Sequence, residues 1–177
     1  GLASALSGQL ADAGRMREAA DWSLRASDAW RALGQRGDPG APMHAAIAEG
    51  YAHYVLGEFE PAVAAYREAL TLSTSFKGDT PVLELRAEAS YMLGGTLKEL
   101  GRHKEALAVV DAEIAEGEAG GLAGTAGVVR LHRTRSEVLS TLGRSAEALA
   151  SIDRALEVEK TIFGERGALY SNLLNQR

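Results

Sequence analysis

Arg130 and Arg133 stand three residues apart, with Arg135 close behind. On a helix, residues at i and i+3 share a face. Two guanidinium forks side by side offer planar donor pairs that match a carboxylate or a phosphate. The competing account is ion pairing with a neighbouring acidic helix, Glu99 for example. It stands ahead of ligand recognition because such pairs are common on protein surfaces. Tyr51, Tyr54 and Tyr91, with Met92, could anchor a partner, since aromatic and Met side chains give large contact areas at low entropic cost. They could equally fill space between stacked helices.

Other chemistries find less support. Glu49 and His53 are four apart, half of a metal site, but no second ligand of helical spacing joins them. His44, His53, His103 and His132 lie at unrelated registers, so hydrogen bonding is expected of them and a metal is not. Gly121, Gly124 and Gly127 recur every third residue, yet they follow a helical pattern rather than a strand. No Gly-Lys-Ser/Thr accompanies them, so they read as a connector. Glu113 and Glu116 read as a charged helix face. There is no cysteine nucleophile and no Gly-x-Ser-x-Gly elbow. Neither an enzyme nor a cofactor is expected.

Composition narrows the class further. The 177 residues are 46% hydrophobic and 24% charged, enough for a core and ordinary for a globular chain. The net charge of −5 argues against nucleic acid, which is bound by clustered Lys and Arg. Residues 44–129 carry 6 basic and 13 acidic side chains, and residues 130–177 carry 8 and 6. Differently solvated surfaces account for this contrast. No apolar run approaches the roughly 20 residues that span a bilayer. The lack of cysteine and the Ala/Gly/Arg-rich, Lys-poor style fit a bacterial, cytoplasmic protein. The chain opens at Gly1 inside a helical pattern, and so reads as a piece of a longer protein.

A repeat organises these residues. Gly14, Gly57, Gly101 and Gly143 each follow Leu or Ala and are spaced by 43, 44 and 42 residues. Five positions on come Ala19, Ala62, Ala106 and Ala148, then Ser23, Tyr66, Val110 and Ile152, then Ala26, Ala69, Glu113 and Ala155. A period of this length points to stacked pairs of helices. Each pair has a tight turn at its glycine. Small residues in the first helix, Gly50, Gly94 and Ser136, let the two axes approach closely. Trp22 and Trp30, eight apart, fall on one face of the first unit's second helix and are expected in the core. Pro/Gly/Asp-rich connectors lie at 34–42 and 75–81, and a Gly-rich one at 117–127.

The set Gly50, Gly57, Phe59, Ala62, Tyr66 and Ala69 resembles the tetratricopeptide repeat throughout. Gly94, Gly101, Ala106 and Val110 match in the third unit, Ser136, Gly143, Ala148, Ile152 and Ala155 in the fourth, and Ser7, Gly14, Ala19 and Ala26 in the first. The period is about nine residues longer than the common 34, similar to kinesin-light-chain-like and bacterial regulatory arrays. Glu113 replaces the final Ala, and Glu49 and Arg135 stand where a Leu belongs. The resemblance implies an all-α, right-handed solenoid over 1–177. Its units span about 1–43, 44–86, 87–129 and 130–166, and 167–177 forms a capping helix or a truncated fifth unit.

The resemblance also implies a non-catalytic protein-interaction module, the regulatory or scaffolding part of a larger protein, whose first helices line a concave groove for a peptide or partner segment. By register, the groove receives His44, Ile47, Tyr51, Tyr54 and Val55 from the second unit, Glu88, Tyr91, Met92, Gly95, Lys98 and Glu99 from the third, and Arg130, Arg133, Thr134 and Glu137 from the fourth. The family's carboxylate clamp needs Lys, Arg and Asn; only part of the cationic set and no Asn stand at those positions, so recognition of a chaperone's free C-terminal carboxylate is disfavoured. The alternative is a structural element that self-associates or docks onto other domains of its parent chain.

Overall fold

The computed structural model describes residues 2–38, 40–74, 80–121 and 123–164. Among the described residues there are eight α-helices and no strand. They are α1 Leu2–Asp12, α2 Met16–Gly34, α3 Ala41–Val55, α4 Phe59–Ser73, α5 Thr80–Glu99, α6 His103–Ala119, α7 Ala126–Thr141 and α8 Ser145–Phe163. The protein is an all-α solenoid of helix–turn–helix pairs. Two compact units divide it, Gly1–Lys77 with α1–α4 and Gly78–Arg177 with α5–α8. The stretch expected to form a last helix, 167–177, lies outside the described residues.

Each pair is closed by the same turn. Gly14, Gly57, Gly101 and Gly143 all have φ between 72° and 76°, a left-handed conformation that suits glycine. The Arg15 N–H donates to the Leu10 carbonyl at 2.8 Å, and the Gly14 N–H to Ala11 at 2.9 Å. Arg102 to Leu97 and Arg144 to Leu139 repeat the first of these bonds. This Schellman arrangement satisfies carbonyls that the helix end would otherwise leave open. The residue after the glycine then opens the next helix, and in three of the four turns it is an Arg paired with a Glu three positions on. Those pairs are Arg15–Glu18, Arg102–Glu105 and Arg144–Glu147.

The small residues of the first helices are explained by what they meet. A Cβ at Gly50 would fall 2.6 Å from Cε1 of Tyr66, whose side chain is fully buried on α4. A Cβ at Gly94 would fall 2.6 Å from Val110 Cγ2 on α6. At the equivalent place in the first pair, the Ser7 and Ser23 hydroxyls lie 2.7 Å apart, and Ser7 donates to the Ala19 carbonyl. The crossings of the first three pairs thus set a small residue against a partner 16 positions later.

Successive pairs within a unit are tied by polar contacts as well as by apolar burial. Between α2 and α3, Ser27 donates to the Ala45 carbonyl at 2.9 Å and Arg31 pairs with Glu49. Arg135 on α7 reaches Asp111 on α6 at 2.6 Å and donates to Ser151 on α8 at 2.6 Å. Glu49 and Arg135, the charged residues at expected Leu positions, each find an opposite charge on the preceding second helix. Glu113 is buried rather than part of an exposed face. Arg86 of α5 pairs with it at 3.1 Å and also with Glu116, while Ser90 donates to Glu113 at 3.3 Å. Gly117 and Gly127, read as connector, belong to α6 and α7. A Cβ at Gly127 would sit 2.9 Å from the Ala87 side chain, so this glycine brings α7 close to α5.

Candidate interaction surface

In the second unit, α5 and α7 lie side by side, and one stripe of α5 faces along α7. Glu88, Tyr91, Gly95 and Lys98 recur at helical spacing on α5, and Arg130, Arg133 and Glu137 do so on α7. Tyr91 is half-buried, its ring resting on the cluster of Ala87, Val110, Ile114 and Leu131. Its outer face carries Arg130, whose Cζ lies 5.3 Å from the ring centroid and whose Nη1 donates to the Tyr91 hydroxyl at 3.3 Å. A guanidinium over an aromatic face is held by the ring quadrupole.

A second bridge closes the other end of the stripe. Lys98 Nζ lies 2.9 Å from Glu137 Oε2 and 3.5 Å from Glu99. Arg133 approaches the same Glu137 only loosely, at 3.9 Å. Burial pulls the Lys98 ammonium down, but Glu137 and Glu99 together outweigh it and the net shift is upward. Burial raises the Glu88 carboxyl, opposed by the charge of Arg130. The Tyr91 phenol is also raised by burial, with Arg130 opposing. Among the described residues, no carboxylate lies within ion-pair distance of Arg130. Glu99, the expected partner of the arginines, is engaged by Lys98 instead. Arg130 is therefore oriented by an aromatic ring and left with most of its donors open.

The candidates in the first unit are arranged differently. His44 stacks on Trp30 of α2, with centroids 4.1 Å apart and rings 12° from parallel, and burial lowers its pKa. Tyr54 packs on Phe59, which opens α4, at 5.8 Å between centroids. Tyr51 is half-buried, its phenol raised by burial first and then by the nearby charge of Asp12. The structure thus brings Tyr91, Lys98, Arg130 and Arg133 onto one face, and places His44, Tyr51 and Tyr54 separately on α3. Neither tryptophan is fully buried; Arg25 stands over Trp22 at 5.0 Å. The imagined half-site of Glu49 and His53 does not assemble, because Glu49 turns to Arg31 while His53 pairs with Glu58 at 2.6 Å.

Sequence reading missed two features. His132, contrary to the hydrogen bonding expected of it, is buried on the side of α7 away from Arg130, and among the described residues neither ring nitrogen has a hydrogen-bond partner. Its only sequence signal was its place two residues after Arg130, on the opposite face of the helix. Glu137 acts as the shared acceptor for Lys98 and Arg133. Its spacing of four from Arg133 was visible, but its cross-helix role was not.

No family model matches the sequence, and no curated protein matches it. Solved structures do resemble the chain. BtubC (BKLC) from P. vanneervenii is similar over 89% of this chain and 62% of its own, with a TM-score of 0.76 and 19% identity. MamA is similar over 90% of this chain and 77% of its own, with a TM-score of 0.55 and 20% identity. This chain therefore spans less than two thirds of the BtubC chain it resembles. At such identities the likeness carries the fold, and that fold is a tetratricopeptide-like helical repeat.

Proposed function

We propose that the chain is a non-catalytic protein-interaction module whose α5/α7 face takes a carboxylate-bearing peptide or partner segment. The observation that carries this reading is Arg130, ordered by Tyr91 and lacking a carboxylate partner among the described residues. An internally satisfied surface would have closed it with Glu, as Lys98 is closed by Glu137. Fixing the fork before binding reduces the entropy lost on association. The parent is a larger bacterial cytoplasmic protein in which this array serves as the regulatory or scaffolding part. No helix among the described residues is long and apolar enough to cross a membrane.

The test is selection from a displayed random dodecapeptide library on the immobilised chain, followed by calorimetry with the recovered peptides. Acidic peptides should be enriched, and Arg130→Glu should weaken them at least about tenfold. Lys104→Glu, which alters an exposed cation elsewhere, should not. Absence of enrichment, or equal loss with both variants, removes the reading.

A second reading has its own observation. Among the described residues, four of the six exposed large apolar side chains, Leu6, Met16, Leu24 and Leu33, belong to the α1–α2 pair. Self-association through that pair would appear as a mass that rises with concentration and falls back in Leu24→Glu.

A further inference from the structure

Two adjacent glycines in the middle of α5 have opposite surroundings. A Cβ at Gly94 would press on Val110 at 2.6 Å and on Thr134 at 3.2 Å, so the packing of α5 on α6 and α7 demands glycine there. A Cβ at Gly95 would meet nothing within 4 Å. The φ of Gly95 is not positive either, so the backbone conformation does not require glycine. Glycine in a helix interior is nevertheless less favourable than alanine. Nothing internal to the described fold compensates for it.

Its position supplies the missing reason. Gly95 lies between the two bridges from α5 to α7, Tyr91–Arg130 four residues before it and Lys98–Glu137 three residues after it. Gly95 is itself half-buried and shares the face of α5 that carries both bridges, so the space beside it lies next to Arg130's side of that face. Glycine is favoured wherever a ligand must come close to the main chain.

We propose that Gly95 is a crossing point, where the main chain of an extended, carboxylate-bearing peptide passes in van der Waals contact with α5 while its carboxylate meets Arg130. This rests on the reading of the α5/α7 face given above and adds how the peptide lies on it. The open side of Gly95 admits a backbone that any Cβ would hold away, so substitution improves the helix and spoils the site.

Gly95→Ala tests this with the acidic dodecapeptide recovered from the library. The variant should melt about 2–4 °C higher than the parent, because the helix gains and nothing is displaced. It should bind the peptide at least about tenfold more weakly. Gly95→Val should bind more weakly still. Unchanged affinity in Gly95→Ala overturns the crossing while leaving the peptide site intact. A lower melting point overturns it too, since Gly95 would then serve internal packing. Failure of the parent chain to bind any library peptide overturns both.

Discussion

The half-buried Arg86 on α5 forms an ion pair at 3.1 Å with the buried Glu113 on α6, which stands where the repeat pattern calls for alanine. Arg86→Met should lower stability by about 3 kcal/mol, because it leaves a carboxylate out of water with only Ser90 to serve it. Arg86→Met with Glu113→Ala should regain most of that loss, since no buried charge is then stranded. Urea denaturation of the two variants decides. Equal midpoints would mean that water, rather than Arg86, satisfies Glu113.

Gly50 and Tyr66 should be as sensitive. Gly50→Ala places a methyl 2.6 Å from a fully buried ring, and overpacking of that kind costs about 1–3 kcal/mol. The gain in helix propensity offsets only part of it. A denaturation midpoint at or above that of the parent would show that the ring has room to move.

His132 should make stability fall as the solution is acidified. Its folded-state pKa lies below the ordinary value of 6.5, chiefly because of burial. Above that value both states are neutral there and no penalty arises. Below it the unfolded chain takes up a proton that the folded chain resists, so stability is lost as pH falls from 6.5 toward the folded pKa. The facing charges are Glu118 and Asp111 of α6, Arg154 of α8 and Arg135 of α7 itself, and they oppose one another by sign. His44 shifts in the same direction, and Glu88 in the opposite one. In His132→Leu the loss between pH 7 and pH 5 should be smaller than in the parent. Parallel curves for parent and variant would assign the acid sensitivity elsewhere.

Tyr91 should separate support from recognition. Tyr91→Phe keeps the ring on Val110 and Leu131 and under Arg130, and should change stability by less than about 1 kcal/mol. Tyr91→Ala removes the ring and should cost about 3–5 kcal/mol, the range for truncating a large core aromatic, toward its lower end because Tyr91 is only half-buried. Circular dichroism melts of the pair check this. A stable alanine variant would move Tyr91 out of the fold and wholly into the surface.

The helix pairs were legible in the sequence because the turn glycines and the small residues 16 positions before their partners obey local geometry. The turn at Gly57 leads into α4 at Phe59, and α3 begins three residues before residue 44, the expected start of the second unit. What stayed hidden was pairing between helices. Glu49, Glu113 and Arg135 look like faults in a repeat until Arg31, Arg86 and Asp111 are seen across from them, 18 to 27 residues away. No periodicity encodes such partners. The surface was half legible for the same reason. Register placed Arg130 and Tyr91 on facing helices, but only three dimensions show the ring holding the guanidinium, and only a built Cβ separates Gly94 from Gly95.

The crossings also constrain how a chain like this one can change its length. Ser7 with Ser23, Gly50 with Tyr66 and Gly94 with Val110 are three different locks, each matched to its own key. A recombination that cuts at Gly14, Gly57 or Gly101 parts lock from key, and one that joins α1 to α4 sets a tyrosine against a serine. A cut in 35–40 or 120–125 carries both halves together. Whole hairpins are therefore the heritable unit here, and the half-hairpin is not.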